Sequence, residues 1–79
     1  MSKYQHLWMY IDLIFKRYNK EKIELSFNQI KDVAGFEIDH SFLTYKKELL
    51  DYGYKVEKIK LKDKKIIISS IIFSLLLFI

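Results

Sequence analysis

The tightest constraint on this chain is the run from Leu25 to Gly53, which holds two short apolar periodicities, each opened by a capping residue and closed by a glycine. Ser26 stands three residues before Gln29, the capping-box spacing that satisfies two orphan amides at a helix start. Phe27, Ile30, Val33 and Ala34 then recur on one helical face. Gly35 falls where a left-handed C-cap is wanted. After Phe36 and Ile38 return the chain to the core, Asp39 or Ser41 can cap a second helix over residues 40–52. Its apolar stripe is Phe42, Tyr45, Leu49 and Tyr52, with Leu43 and Leu50 beside it, and Gly53 ends it. Ser41, Thr44, Lys47, Glu48 and Asp51 fall opposite, with Lys46 at the edge.

The chain beyond Gly53 reads as a ribbon. In residues 54–61, Tyr54 and Val56 share one face by alternation and Ile59 and Leu61 the other. That change of phase predicts a bulge near Glu57 and Lys58. Lys62, Asp63 and Lys64 form the turn, and residues 65–69 return as a strand rich in β-branched isoleucine. Upstream, Tyr4, Leu7, Trp8, Ile11, Ile14, Phe15 and Tyr18 make a first helix over residues 3–18, with Ser2 as its expected N-cap. Ile23, Glu24 and Leu25 are a short extended piece able to add a minor third strand. The expected fold class is α+β: a small winged helix-turn-helix, three helices followed by a two-stranded β-hairpin, over residues 1–69. Residues 70–79 are an apolar C-terminal tail.

Seventy-nine residues make one domain. Half the side chains are hydrophobic, enough for a globular core. No cysteine is present, so disulfides and thiolate metal sites are excluded, and two histidines are too few for a zinc site; no cofactor and no metal are expected. Cysteine usage and the absence of an N-terminal signal fit the cytoplasm. The net charge of +4 is unevenly placed: residues 1–39 carry six basic and six acidic side chains, residues 40–79 eight and four. The excess therefore lies on the second capped helix and the ribbon, which suits a phosphate backbone or anionic lipid.

The segments LSFNQIKDVAGF and HSFLTYKKELLDYGYKVEKIKLKDKKIII resemble a group of short, uncharacterised bacterial proteins. The shared pattern is an H-S helix start, a K-K-E-L stretch, Y-G-Y-x-V and a lysine-rich hairpin, and it spans about residues 4–69. The resemblance implies a winged-helix module and imports no activity, because the group is a domain of unknown function. The tail after Ser69 departs from that pattern.

No catalytic constellation is expected. His40 and Ser41 are neighbours at a helix start, where side chains diverge instead of meeting as nucleophile and base. Asp51, Glu57 and Lys60 do not converge as metal-dependent cleavage requires, and two glycines cannot make a phosphate loop. The expectation is a non-catalytic binding module for nucleic acid, DNA favoured. His40, Ser41, Thr44, Tyr45, Lys46 and Lys47 would face the groove, and Lys58, Lys60, Lys62, Lys64 and Lys65 would hold phosphates. The alternatives are a protein-interaction adaptor or inhibitor from a mobile element, and membrane association through the tail.

The tail is the sequence's least conventional part, with eleven large apolar side chains in residues 66–79. As a helix those residues span about 21 Å, short of the roughly 30 Å a membrane core requires. An oligomer or partner contact is the favoured use, involving Met9, Tyr10 and Leu13 on the first helix with Ile71, Ile72, Phe73, Leu75, Leu76, Leu77, Phe78 and Ile79. Either the tail folds back onto that strip or it crosses to a second copy in a homodimer. Deleting residues 70–79 is expected to lower the solution molar mass or the stability. A truncated chain unchanged in both would show that the tail packs on nothing.

Overall fold

The computed structural model describes residues 2–71. Its elements are α1 (Gln5–Tyr18), β1 (Lys22–Ser26), α2 (Phe27–Ala34), α3 (His40–Tyr45), a 3-10 segment (Lys46–Tyr52), β2 (Tyr54–Lys60) and β3 (Lys65–Ser70). The caps are where local chemistry places them. The Ser26 hydroxyl accepts from the Gln29 amide at 3.1 Å, and the Gln29 side chain accepts from the Ser26 amide at 2.8 Å. Asn19, Gly35 and Gly53 close α1, α2 and the 3-10 segment in the left-handed region, with φ of 49°, 87° and 93°. Ser2 does not cap α1 as expected. Tyr4 is the N-cap, with no side-chain bond of its own, and Ser2 instead accepts from the Tyr4 amide just upstream.

The sheet has three antiparallel strands in the order β1-β3-β2, which corrects the two-stranded hairpin. The physical reason lies in alternation on β1. Ile23 and Leu25 point the same way as Ile68 and Ile66, their partners on β3, so pairing buries Leu25 on the core face. A hairpin alone would leave one edge of β3 without backbone partners. On the other side β2 pairs with β3, and a bulge at Val56/Lys58 shifts the register there as the sequence predicted. The bulge keeps Val56 and Ile59, three apart, opposite Ile68 and Ile66 and packed against the core.

The core fills the space between that sheet face and the helices. α1 supplies Tyr4, Leu7, Trp8, Ile11 and Phe15, all buried. Leu25, Ile30, Phe42, Leu49, Tyr54, Ile66 and Ile68 complete it. The Phe15 and Tyr54 rings stack with centroids 4.4 Å apart, and the Tyr54 hydroxyl donates to Asp12.

The expected helix over 40–52 is α-helical only to Tyr45 and then tightens to 3-10 geometry. Three residues per turn align Lys46, Leu49 and Tyr52 on one face. Leu49 is fully buried there, and Lys46 and Tyr52 are half-buried. The tightening draws Lys46 from the expected edge towards the core side. β3 runs through Ser70, whose amide donates to the Glu21 carbonyl, and the Ile71 amide donates to the Gly53 carbonyl. Residues 70 and 71 therefore belong to the fold. Ile72, Phe73, Leu75, Leu76, Leu77, Phe78 and Ile79, assigned above to a partner contact, lie outside the described residues. Met9 and Leu13, which share that assignment, are 53% and 60% exposed, and Tyr10 is half-buried.

Leu49 tests the 3-10 packing. Leu49→Ala is expected to cost about 2–5 kcal/mol in urea unfolding, the range for truncating a fully buried leucine. A loss well under 1 kcal/mol would show that the segment does not seat Leu49 in the core.

Candidate nucleic-acid interface

The start of α3 is held by a small polar network. Asp39 is its N-cap, accepting from the Ser41 amide at 2.9 Å and from the Ser41 hydroxyl. The Tyr4 hydroxyl lies 2.8 Å from the Ser41 hydroxyl and 3.3 Å from Asp39, and Lys3 approaches the other Asp39 oxygen at 3.4 Å. Bonds from the Ser41 hydroxyl and then its amide, helped by Lys3, hold the Asp39 carboxyl down at about 2. The N-terminal end of α3 thus already carries an anion. Ser41, offered above as a phosphate contact, spends its hydroxyl on Asp39 and Tyr4 and not on His40.

Of the expected set along α3 and the 3-10 segment, His40, Thr44 and Lys47 remain exposed. Tyr45 is exposed too, but its ring lies 5.9 Å from that of Tyr4, so it leans on the core cluster. Glu48, an anion on the same segment, accepts from the Trp8 indole at 3.1 Å. Bonds from the Ser2 hydroxyl and from that indole hold its carboxyl below the usual range. With Asp51, Gln5 and Tyr52 it borders a cleft of about 310 Å³ against α1.

A second, larger concavity of about 750 Å³ joins α3 to the hairpin turn. Its lining combines apolar Phe27, Ile38, Phe42 and Ile59 with His40 and Leu43 of α3, Leu61 and Lys64 of the turn, and the charged Lys31, Glu37 and Asp39. Leu43 is 52% exposed and Leu61 74%. The Lys64 carbonyl accepts from the Phe27 amide at 2.8 Å, which fixes the turn against the first residue of α2. That anchoring holds Lys64 at a φ of 52°, a left-handed conformation unusual for a side chain of this kind.

The hairpin lysines divide between two places. Lys62 and Lys64 are exposed in the turn. Lys58, Lys60 and Lys65 lie on the outer face of the sheet, away from the helices, since alternation and the bulge turn Val56, Ile59, Ile66 and Ile68 inward. Glu24 of β1 sits 3.9 Å from Lys60 and 3.7 Å from Lys65, so these two share a counter-charge. The same face carries Lys22 opposite Ser69 and Lys55 on Ser69's other side, two cations absent from the sequence-derived set. Alternation from Tyr54 would have found Lys55. Lys22 needed the β1–β3 register. Glu57, in the bulge, accepts from the Ser69 hydroxyl, and that bond with the nearby Lys55 and Lys22 lowers its pKa.

The structure thus brings His40 together with Lys64 around one groove, puts Lys58, Lys60 and Lys65 on another face, and tucks Lys46 partly inward. Among the described residues, no three His, Cys, Asp or Glu side chains could hold a metal ion, and no helix is long and apolar enough to cross a membrane. Comparison with known proteins yields no matching family model, no matching curated protein and no matching solved structure.

The Asp39 cap has a pH signature. Its folded pKa lies below the ordinary 3.8, so its stabilisation is fully present above about 4 and is lost as pH falls towards 2. An asparagine in its place caps comparably and does not titrate there. The melting-temperature gap between the parent and Asp39→Asn is therefore expected to narrow from pH 4 to pH 2. A gap constant across that range would remove the carboxylate as its source.

Proposed function

We propose that this chain is a winged helix-turn-helix module that binds DNA, with α3 as the groove-reading element and the turn at residues 61–64 as a lysine-bearing wing. The observation that carries the reading is the shared groove. His40 and Leu43 of α3 face Leu61 and Lys64 of the turn across it, so a helix and a cationic loop address one ligand. The order helix, strand, helix, helix, hairpin agrees with that layout. A protruding helix suits the wide major groove of B-form DNA, whereas the narrow major groove of duplex RNA shuts side chains out. In this mode His40, Thr44 and Lys47 reach base edges or flanking phosphates. Lys58, Lys62 and Lys64 hold the backbone and set position more than sequence. The engagement of Glu48 by Trp8 draws one of the two opposing carboxylates on this segment towards α1.

A second reading rests on the same concavity. Leu43 and Leu61 are exposed apolar walls, and such walls also suit an apolar segment of a partner protein. A chain using that mode would act as an adaptor or inhibitor. Leu61→Glu would then abolish partner capture while sparing the salt-dependent part of DNA binding.

The DNA reading is tested by titrating duplex at 50 and 200 mM salt. Four phosphate contacts predict a slope near −3.6 in log K against log salt, about a hundredfold loss over that range. Lys46→Ala/Lys47→Ala should weaken binding with the fold intact, most of the loss coming from Lys47. Lys64→Gly should weaken binding while leaving stability equal or higher, because glycine accepts the positive φ that lysine is held in. Affinity insensitive to salt would overturn the reading.

A further inference from the structure

We infer that the outer face of the sheet is a second, sequence-independent phosphate-binding surface, distinct from α3 and the groove, on which the nucleic-acid backbone continues past the wing. The inference rests on the DNA-binding reading and extends it over a face of which that reading uses Lys58 alone.

All three strands build this face. β1 contributes Lys22 and Glu24, β3 contributes Lys65, Ile67 and Ser69, and β2 contributes Lys55, Glu57, Lys58 and Lys60. The register sets them in rows across the sheet: Lys22, Ser69 and Lys55 in one, Glu24, Ile67 and Lys58 in the next, then Ser26, Lys65 and Lys60. Rows repeat about every 7 Å along the strands and neighbouring strands lie about 4.8 Å apart, so the cations form a lattice and not a single point. The bulge makes this possible. Without the extra residue, strict alternation would place Lys55 and Lys58 on opposite faces.

Five lysines stand against two glutamates here, and neither glutamate is idle. Glu24 is shared by Lys60 and Lys65, and Glu57 is bonded to Ser69. Among the described residues, Lys22, Lys55 and Lys58 have no carboxylate within 4.0 Å. Lys22 and Lys55 feel Glu57 at longer range, without a direct ion pair, so together with Lys58 they keep contacts to spare for an outside anion.

The occupant follows from what the face lacks as well as what it holds. Among the described residues it presents no aromatic ring on which bases could stack, and their one large apolar side chain on this face, Ile67, is half-buried at the centre. Lysines on a strand edge offer point charges on flexible stems, not the fixed fork that reads guanine. Such a surface suits a phosphodiester backbone and is indifferent to its bases. A membrane contact would want apolar side chains projecting past the charges, and among the described residues of this face none does.

The test uses Lys22→Ala/Lys55→Ala, two positions outside the wing and outside α3. The probes are a 30-base-pair duplex, the same duplex shortened to the length the wing and α3 cover, and vesicles containing phosphatidylserine. The slope of log K against log salt on the long duplex should become shallower by about 1.8, the value for two lost contacts. The ranking of duplex sequences by affinity should stay that of the parent, and the short duplex should bind both proteins alike. A slope unchanged on the long duplex would overturn the inference and leave the DNA reading standing. A parent that binds no duplex at any salt would overturn both. Loss of vesicle binding with an unchanged duplex slope would reassign the face to lipid headgroups and overturn the inference as well.

Discussion

Everything in this fold waits on β3, because the last strand of the sheet is its middle one. β1 and β2 do not touch as neighbours; each pairs with β3, and Ile66 and Ile68 of that strand are fully buried. Until β3 is in place, β1 has no backbone partner and the apolar faces of α1 and α2 have no floor. The pairing of Lys22 with Ser69 closes a loop of most of the chain, the kind of non-local contact that costs loop entropy before it gains anything. The reward is concentrated. Ile66 meets Leu25 on one side and Ile59 on the other, so one buried side chain joins all three strands.

Features decided by neighbours in sequence were legible from it. The Ser26–Gln29 box, the glycine caps at Gly35 and Gly53 and the bulge beside Glu57 all depend on a few adjacent residues, and the structure has them where the sequence put them. The third strand was only half legible. Residues 22–26 alternate as a strand should, but their partner lies more than forty positions away, and nothing local names it. The 3-10 segment was not legible. Apolar spacing at 42, 45, 49 and 52 fits an α-helix, and the choice to tighten is made by how Leu49 seats, with Glu48 on the Trp8 indole.

For the expected binding set, the sequence could name residues but not the faces on which they lie. Lysine density pointed at the hairpin, and the hairpin does carry exposed lysines. A one-dimensional count cannot say that Lys60 and Lys65 share a glutamate from β1, or that Lys22, some forty residues upstream, joins their face. It also cannot say that Ser41 is consumed by a cap. Ser41 and Asp39 look alike as helix-start residues, and both are bonded by the Tyr4 hydroxyl, which comes from the start of α1 more than thirty residues away.

That last contact belongs to a wider division of charge. The carboxylates of Asp12, Asp39, Glu48 and Glu57 accept from the hydroxyls of Tyr54, Tyr4, Ser41 and Ser69 and from the Trp8 indole. Lys16 also pairs with Asp12 at 3.0 Å and Lys3 with Asp39 at 3.4 Å, whereas Glu48 and Glu57 are held by neutral donors that leave their charge uncancelled. The lysines of the sheet and turn have fewer such ties. The chain therefore carries its net +4 as a separation: residues 22–26 and 54–71 hold seven basic and three acidic side chains, and the rest of the chain seven and seven. A polyanion drawn in by the overall charge would be turned by that separation before contact, towards the sheet and hairpin and away from the cleft of Glu48 and Asp51. The tie between Trp8 and Glu48 is thus at once a core contact and a determinant of approach. The same bond that satisfies a buried indole keeps a carboxylate near α1, while Lys47 beside it faces solvent.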